Sequence, residues 1–280
     1  MLSDEHCQSL LRANAEVERV RDLLAPLAQT IEVVVYLRRQ DEMAASAYAS
    51  HLKFGLCLPP IDEYLESIDS DNGYYDLESL VERWSAVFGR DHVTVRIFER
   101  SRLHRGDVLE DFLETCGIDV GDDWERPGRR NPALGYQATE FLRRFNEHSP
   151  RMENGRIDKR RARLIRILED HFGHEKHLPS RRVAEALYAR FHDSNERLRQ
   201  TLGLASLFHA DFLAYPEHAI DRAFTAEEAA SIAALIWRGT GENPAAGGLW
   251  GKLVRAGLEP RLAVRRLRNR LELARRVSPG

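Results

Sequence analysis

A chain of 280 residues, 43% hydrophobic and 30% charged, can bury a substantial core as one large domain or two small ones. Its net charge of −3 gives no general attraction for nucleic acid or acidic lipid. Three scattered cysteines, Cys7, Cys57 and Cys116, form no C-x-x-C pair, and no apolar run approaches the roughly eighteen residues of a transmembrane helix. The expectation is a cytoplasmic protein with reduced thiols, no transmembrane segment and no nucleic-acid partner.

In chain order, residues 15–29 place Val17, Val20, Leu24 and Leu27 on one helical face, with Pro26 near its end. IEVVVYL (31–37) is a continuous apolar run, the pattern of a parallel strand covered on both faces. Asp41 is a predicted N-cap for a helix reaching about Phe54. A loop-rich stretch follows, broken by Pro59, Pro60 and Asn72-Gly73. A helix from Asp76 to Phe88 should stop at Gly89, and HVTVRIF (92–98) reads as a second strand. Asp107, with Glu110 three residues on, caps a helix expected to bury Leu109, Phe112, Leu113 and Cys116 before Gly117.

Residues 119–131 are polar, and beyond them the pattern is helical only. Asn131-Pro132 suits a helix start with Leu134, Ala138, Phe141 and Phe145 inward. Further helices are predicted over 157–172 and from Ser180 to Leu202, ending at Gly203. Thr225-x-x-Glu228 is a capping box for a helix through Trp237, and an arginine-rich helix over 260–277 closes the chain. The fold class is therefore α/β in the first half and helical in the second. Two strands are few for a parallel sheet, so the sheet is expected to be incomplete, with an unpaired edge open to self-association.

Ligands of such sheets collect beyond the carboxyl ends of the strands. Arg38 stands there, offering a planar fork of donors to a phosphate or sulfate. Ser46, on the following helix, can add a hydroxyl, and Ser46, Ser50 and Lys53 form one polar stripe. Spacing alone fits equally well two solvated arginines and a small residue that lets helix and sheet approach.

The stretch YLRRQDEMAASAY resembles the 3′-phosphate-binding segment of sulfotransferases that use 3′-phosphoadenosine-5′-phosphosulfate (PAPS). There a strand ends in arginine and a serine eight residues later shares the phosphate, a spacing that Arg38 and Ser46 match. Further blocks resemble the bacterial branch found with capsule and surface-polysaccharide genes: LVERWSAVFGRDHVTVRIFE, GDVLEDFLETCGI, RRNPALGYQATEFLRRFN, RFHDSNERL and LFHADFLAYPE. The resemblance implies a P-loop-NTPase-like parallel sheet flanked by helices, with a mainly helical C-terminal half. It spans residues 1–217, an α/β part over 1–118 and a helical part over 131–217, leaving 218–280 as a helical extension. It implies PAPS as co-substrate, no metal, and sulfuryl transfer to a hydroxyl of a saccharide acceptor, with Arg38 and Ser46 on the 3′-phosphate and Arg39 and Lys53 as weaker candidates.

Such enzymes also carry, ahead of that segment, a strand and a loop that hold the 5′-phosphosulfate. Residues 1–30 supply no such loop, so the chain is expected to be truncated relative to the family and inactive by itself. The alternative is a non-enzymatic remnant or interaction protein of the same fold. The general base is not assigned, and Glu5 and His6 are left without a role. The glycine-rich GTGENPAAGGLWGK (239–252) follows a helix, not a strand, and is rejected as a phosphate loop. His171, His174 and His177, with Glu175 nearby, are spaced like metal ligands but read as a solvated loop. The arginines of the last helix read as a solvated face around an apolar stripe.

Overall fold

The computed structural model describes residues 2–3, 6–121, 132–149, 152–153, 156–157, 160–173, 176–220 and 222–241. The chain divides into two compact units, Met1–Phe224 and Thr225–Gly280. The first is mixed helix and strand. Two short helices, α1 (Cys7–Leu10) and α2 (Asn14–Leu24), lead to β1 (Val33–Leu37). After it come α3 (Gln40–Phe54), α4 (Ile61–Glu66), α5 (Leu77–Phe88) and β2 (Val93–Ile97). Then follow α6 (Val108–Thr115), α7 (Tyr136–His148), the two-residue strands β3 (Met152–Glu153) and β4 (Arg156–Ile157), α8 (Arg160–Phe172), α9 (Arg181–Arg190) and α10 (His192–Thr201). The second unit begins with α11 (Ala226–Gly241). No helix among the described residues is long and apolar enough to cross a membrane.

β1 and β2 pair in parallel, Val33 opposite Val93 through Leu37 opposite Ile97. The period of two sends Val35, Leu37, Val95 and Ile97 to one face, where they pack with Leu77, Leu80 and Val81 of α5, Leu198 of α10, and Leu207 and Phe208. The other face carries Val34, Tyr36, Thr94 and Arg96. Tyr36 donates its hydroxyl to Asp111 of α6, which also holds Arg96 in an ion pair. The expectation that IEVVVYL is covered on both faces is corrected: only Leu37 is fully buried, and Val33 to Tyr36 are half-buried. On the polar face Tyr36 and Arg96 meet the buried Asp111 carboxylate.

Several local signals act as read. The Asp76 carboxylate accepts from the Ser79 N–H, and the Asp107 carboxylate from the N–H groups of Leu109 and Glu110. Gly89 and Gly117 close their helices with φ of 92° and 61°, where a side chain would be strained. Thr225 and Glu228 exchange hydrogen bonds as a capping box.

Other expectations are overturned. Leu27 lies past the end of α2 and is exposed, and Cys116, the C-cap residue of α6, is exposed too. The helix predicted from Ser180 to Leu202 is two, because Phe191 (φ −103°, ψ 14°) leaves helical geometry. Its buried ring sits against Tyr75, and the turn aims Asn195 inward at Gln40. α7 starts at Tyr136 behind Gly135, and Asn131 lies outside the described residues. Its inward side is Ala138, Leu142 and Asn146, while Phe141 and Phe145 stack on each other half-buried. The helix predicted from 157 begins at Arg160. The arginine-rich segment 260–277 lies outside the described residues.

Guanidinium groups take up many helix-end and loop carbonyls. Arg161 donates to the carbonyls of Leu52 and Lys53, and Asn146 to those of Leu52 and Leu56, closing the C-terminal end of α3. Arg190 does the same for Leu65, Glu66 and Ile68 at the end of α4. Arg102 binds the carbonyls of Ser206 and Leu207.

Candidate functional site

The carboxyl ends of β1 and β2 bring together Arg38, Arg39, Phe98 and Glu99. The ladder continues past the strands, since the Phe98 N–H donates to the Leu37 carbonyl at 2.7 Å. This sets Phe98 beside Arg38 on the polar face of the sheet, and Arg39 with Glu99 on the other. The two adjacent arginines therefore meet different surroundings.

Arg39 is buried and fully engaged. Its Nε and one terminal nitrogen donate to both oxygens of Asp41, at 2.7 and 2.9 Å. The other terminal nitrogen donates to the carbonyls of His209 and Asp211, and the guanidinium stacks on Phe212 at 4.2 Å. Asp41, expected as the N-cap of α3, lies inside its first turn. Arg39 takes the cap position without a side-chain cap, and Tyr215 donates its hydroxyl to Asp41. This cluster pins segment 209–215 over the sheet end. A neighbouring buried pair does likewise for α10: Gln40 and Asn195 exchange amide hydrogen bonds, and Gln40 reaches the Tyr75 carbonyl.

Arg38 is engaged along one edge only. Its Nε donates to Glu42 at 2.8 Å, and its guanidinium lies over the Phe98 ring at 5.4 Å. Among the described residues its two terminal nitrogens make no hydrogen bond, and the side chain is 30% exposed. Ser46 is exposed on α3, one turn beyond Glu42, so Arg38, Glu42 and Ser46 follow one stripe. Among the described residues no hydrogen bond joins Arg38 to Ser46, and the side-chain partner of Arg38 is Glu42. Lys53 is not part of this group. At the far end of α3 it donates to Glu169 at 2.7 Å and to the Pro132 carbonyl at 2.8 Å.

Two participants were missed in the sequence. Glu42 had a signal, a carboxylate four residues after an arginine at a helix start. Phe98 becomes visible only once β1 and β2 are aligned in register.

On the loop after β2, Glu99 accepts from the His209 N–H at 2.7 Å and lies 3.2 Å from the His209 ring nitrogen Nδ1. Beneath the polar face, Arg96 beside Asp111 holds that carboxyl down at about 2, helped by the His104 N–H and the Tyr36 hydroxyl. Burial pushes the Tyr36 phenol up to about 12, and Asp111 adds to the effect. These groups are structural, since all are turned toward one another.

Among the described residues no His, Cys, Asp and Glu group is arranged to hold a metal ion. Of the histidine loop, His174 and Glu175 lie outside the described residues and His171 is exposed. The solvated reading fails for His177, whose N–H donates to the Leu134 carbonyl and whose ring meets Tyr136 edge-on at 5.2 Å. Burial holds its imidazole below the usual histidine range. It lines a shallow cleft with Asp62, Tyr136, Glu140 and Arg144, apart from the strand ends.

No family model matches the chain, and no solved structure matches it. An uncharacterized protein of Archaeoglobus fulgidus is 33% identical over 116 residues, which is 41% of this chain and 30% of that protein. The match thus spans less than a third of that relative's length.

Proposed function

We propose that this chain is a sulfotransferase-like protein whose strand-end site grips the 3′-phosphate of PAPS. Arg38 supplies the charged fork and Ser46 the hydroxyl. In this reading β1 and β2 are two strands of a P-loop-NTPase-like sheet, and their unshared edges are open to pairing with another strand or a second copy. The reaction is transfer of the sulfuryl group to a saccharide hydroxyl. The bond from sulfur to the acceptor oxygen forms as the bond to the 5′-phosphate oxygen breaks, and the hydroxyl proton passes to a base that has not been assigned.

The observation that carries the proposal is the contrast between neighbours. Arg39 spends its donors on the fold, whereas Arg38, at the carboxyl end of a parallel strand, keeps its terminal nitrogens uncommitted among the described residues. Uncommitted terminal nitrogens at a strand end support reading Arg38 as an anion receptor. Isothermal calorimetry with adenosine 3′,5′-bisphosphate tests it. Arg38→Ala removes charge-assisted contacts worth on the order of 1.5–3 kcal/mol, roughly 10- to 150-fold in affinity, and Ser46→Ala removes less. Equal affinity in wild type and Arg38→Ala overturns the assignment. Sulfuryl transfer would favour the enzyme, whereas binding alone fits both that reading and the second one, a non-enzymatic protein of the same fold.

A further inference from the structure

We infer that Glu42 and Phe98 are positioning residues that aim Arg38 at its anion. The inference rests on the reading of Arg38 as the phosphate contact. A guanidinium has a side edge, bearing Nε, and an end edge formed by its two terminal nitrogens, and either edge can meet an oxyanion in its plane. Glu42 touches the side edge through Nε at 2.8 Å. The central carbon of the guanidinium lies over the Phe98 ring, 5.4 Å from its centroid. One contact anchors the side edge and the other seats the cation over an aromatic ring, and among the described residues neither uses the end edge in a hydrogen bond.

Each contact is itself secured. Glu42 sits in the first turn of the 15-residue α3, where the positive end of the helix dipole favours a carboxylate. Phe98 is tied to β1 by its N–H bond to the Leu37 carbonyl. The arginine side chain is thus held before any anion arrives, which removes much of the ordering cost of binding. Glu42 also repels an incoming anion. At a partly exposed position that repulsion is damped by solvent, and its carboxylate faces the side edge and not the end edge. Orientation is expected to outweigh it.

The test uses the full chain with adenosine 3′,5′-bisphosphate and, separately, inorganic phosphate. Glu42→Ala and Phe98→Leu should each weaken binding roughly three- to tenfold. Glu42→Gln keeps an acceptor for Nε and should stay within about twofold of wild type, which a merely electrostatic role would not allow. The Arg38 Nε–H resonance gives an independent readout. It should be protected from exchange in wild type and Glu42→Gln and lost in Glu42→Ala, with both Glu42 variants still folding cooperatively and losing at most the small stability that the helix dipole lends a carboxylate. If Glu42→Ala binds as tightly as wild type or more tightly, Glu42 competes with the ligand and the inference is overturned. If Arg38→Ala abolishes binding while Glu42→Ala and Phe98→Leu do not weaken it, the inference falls and the reading of Arg38 stands. If wild type binds neither probe, both fall.

Discussion

Asp111→Asn is the sharpest test of what holds the strand pair together. The Asp111 side chain is fully buried and accepts from the Tyr36 hydroxyl, the Arg96 guanidinium and the His104 N–H, joining β1, β2 and the loop after β2. Its carboxyl is held at about 2, against 3.8 when unperturbed, first by Arg96. A carboxyl held low in the fold stabilises it above the unfolded value, and that stability is lost as pH falls from about 4 through 2. The gap is worth roughly 2 kcal/mol once the partial exposure of Arg96 is allowed for. Asparagine keeps one acceptor oxygen and turns an amide donor toward donors, adding about 1–2 kcal/mol for a buried group left unpaired. The expected loss at pH 7 is about 3–4 kcal/mol, or some 6–16 °C in melting temperature for a unit of this size. Urea denaturation at pH 7 and at steps down to pH 2 would show the difference between wild type and variant narrowing below pH 4. A variant within about 0.5 kcal/mol of wild type at pH 7 would refute the assignment of Asp111 as the clasp.

Arg39→Ala leaves Asp41 charged and fully buried, with Tyr215 as its remaining hydroxyl donor, and should cost about 3–5 kcal/mol in denaturation. Arg39→Lys should recover little, because an ammonium cannot span both oxygens and two carbonyls, and segment 209–215 should become open to limited proteolysis in both. Burial holds His51 and His177 below the usual histidine range, so stability should fall as pH drops below about 6.5, where the unfolded chain takes up protons more readily. His177→Phe keeps the edge contact with Tyr136 and removes a buried Nδ1 that lacks a hydrogen-bond partner among the described residues. It should stabilise by about 1 kcal/mol at pH 7 and flatten the acid slope, and an unchanged slope would count against it.

How much of this was written in the sequence depends on the range of the interaction. Asp76, Asp107, Gly89 and the Thr225–Glu228 box are local devices, complete within four residues, and they act as read. The break at Phe191 was not legible, because 180–202 has an unbroken helical period. What ends α9 is the seating of one ring against Tyr75 and the pull of Asn195 toward Gln40, 155 residues away in the chain. Asp111 was hidden in a helix judged by its apolar residues. Its trace lies in the strands, where Tyr36 and Arg96 interrupt apolar runs at paired register positions. Two polar side chains facing one way ask for a polar partner.

The pair Arg38-Arg39 sets the limit of sequence reading most clearly, since composition and spacing treat the two alike. What separates them is the alternation of a strand and the return of a distant segment. Alternation sends Arg39 to the side where His209 and Asp211 arrive, and it spends its donors there on carbonyls, as Arg102, Arg161 and Arg190 do elsewhere. Arginine is the residue for that work, because a charged fork can satisfy several buried carbonyls at once. In a chain that uses guanidinium groups this way, the presence of an arginine at a strand end says little about function. The informative quantity is how many of its donors the fold leaves unspent. By that measure Arg38, steadied at Nε and over the Phe98 ring and with its end edge making no hydrogen bond among the described residues, differs from its neighbour Arg39.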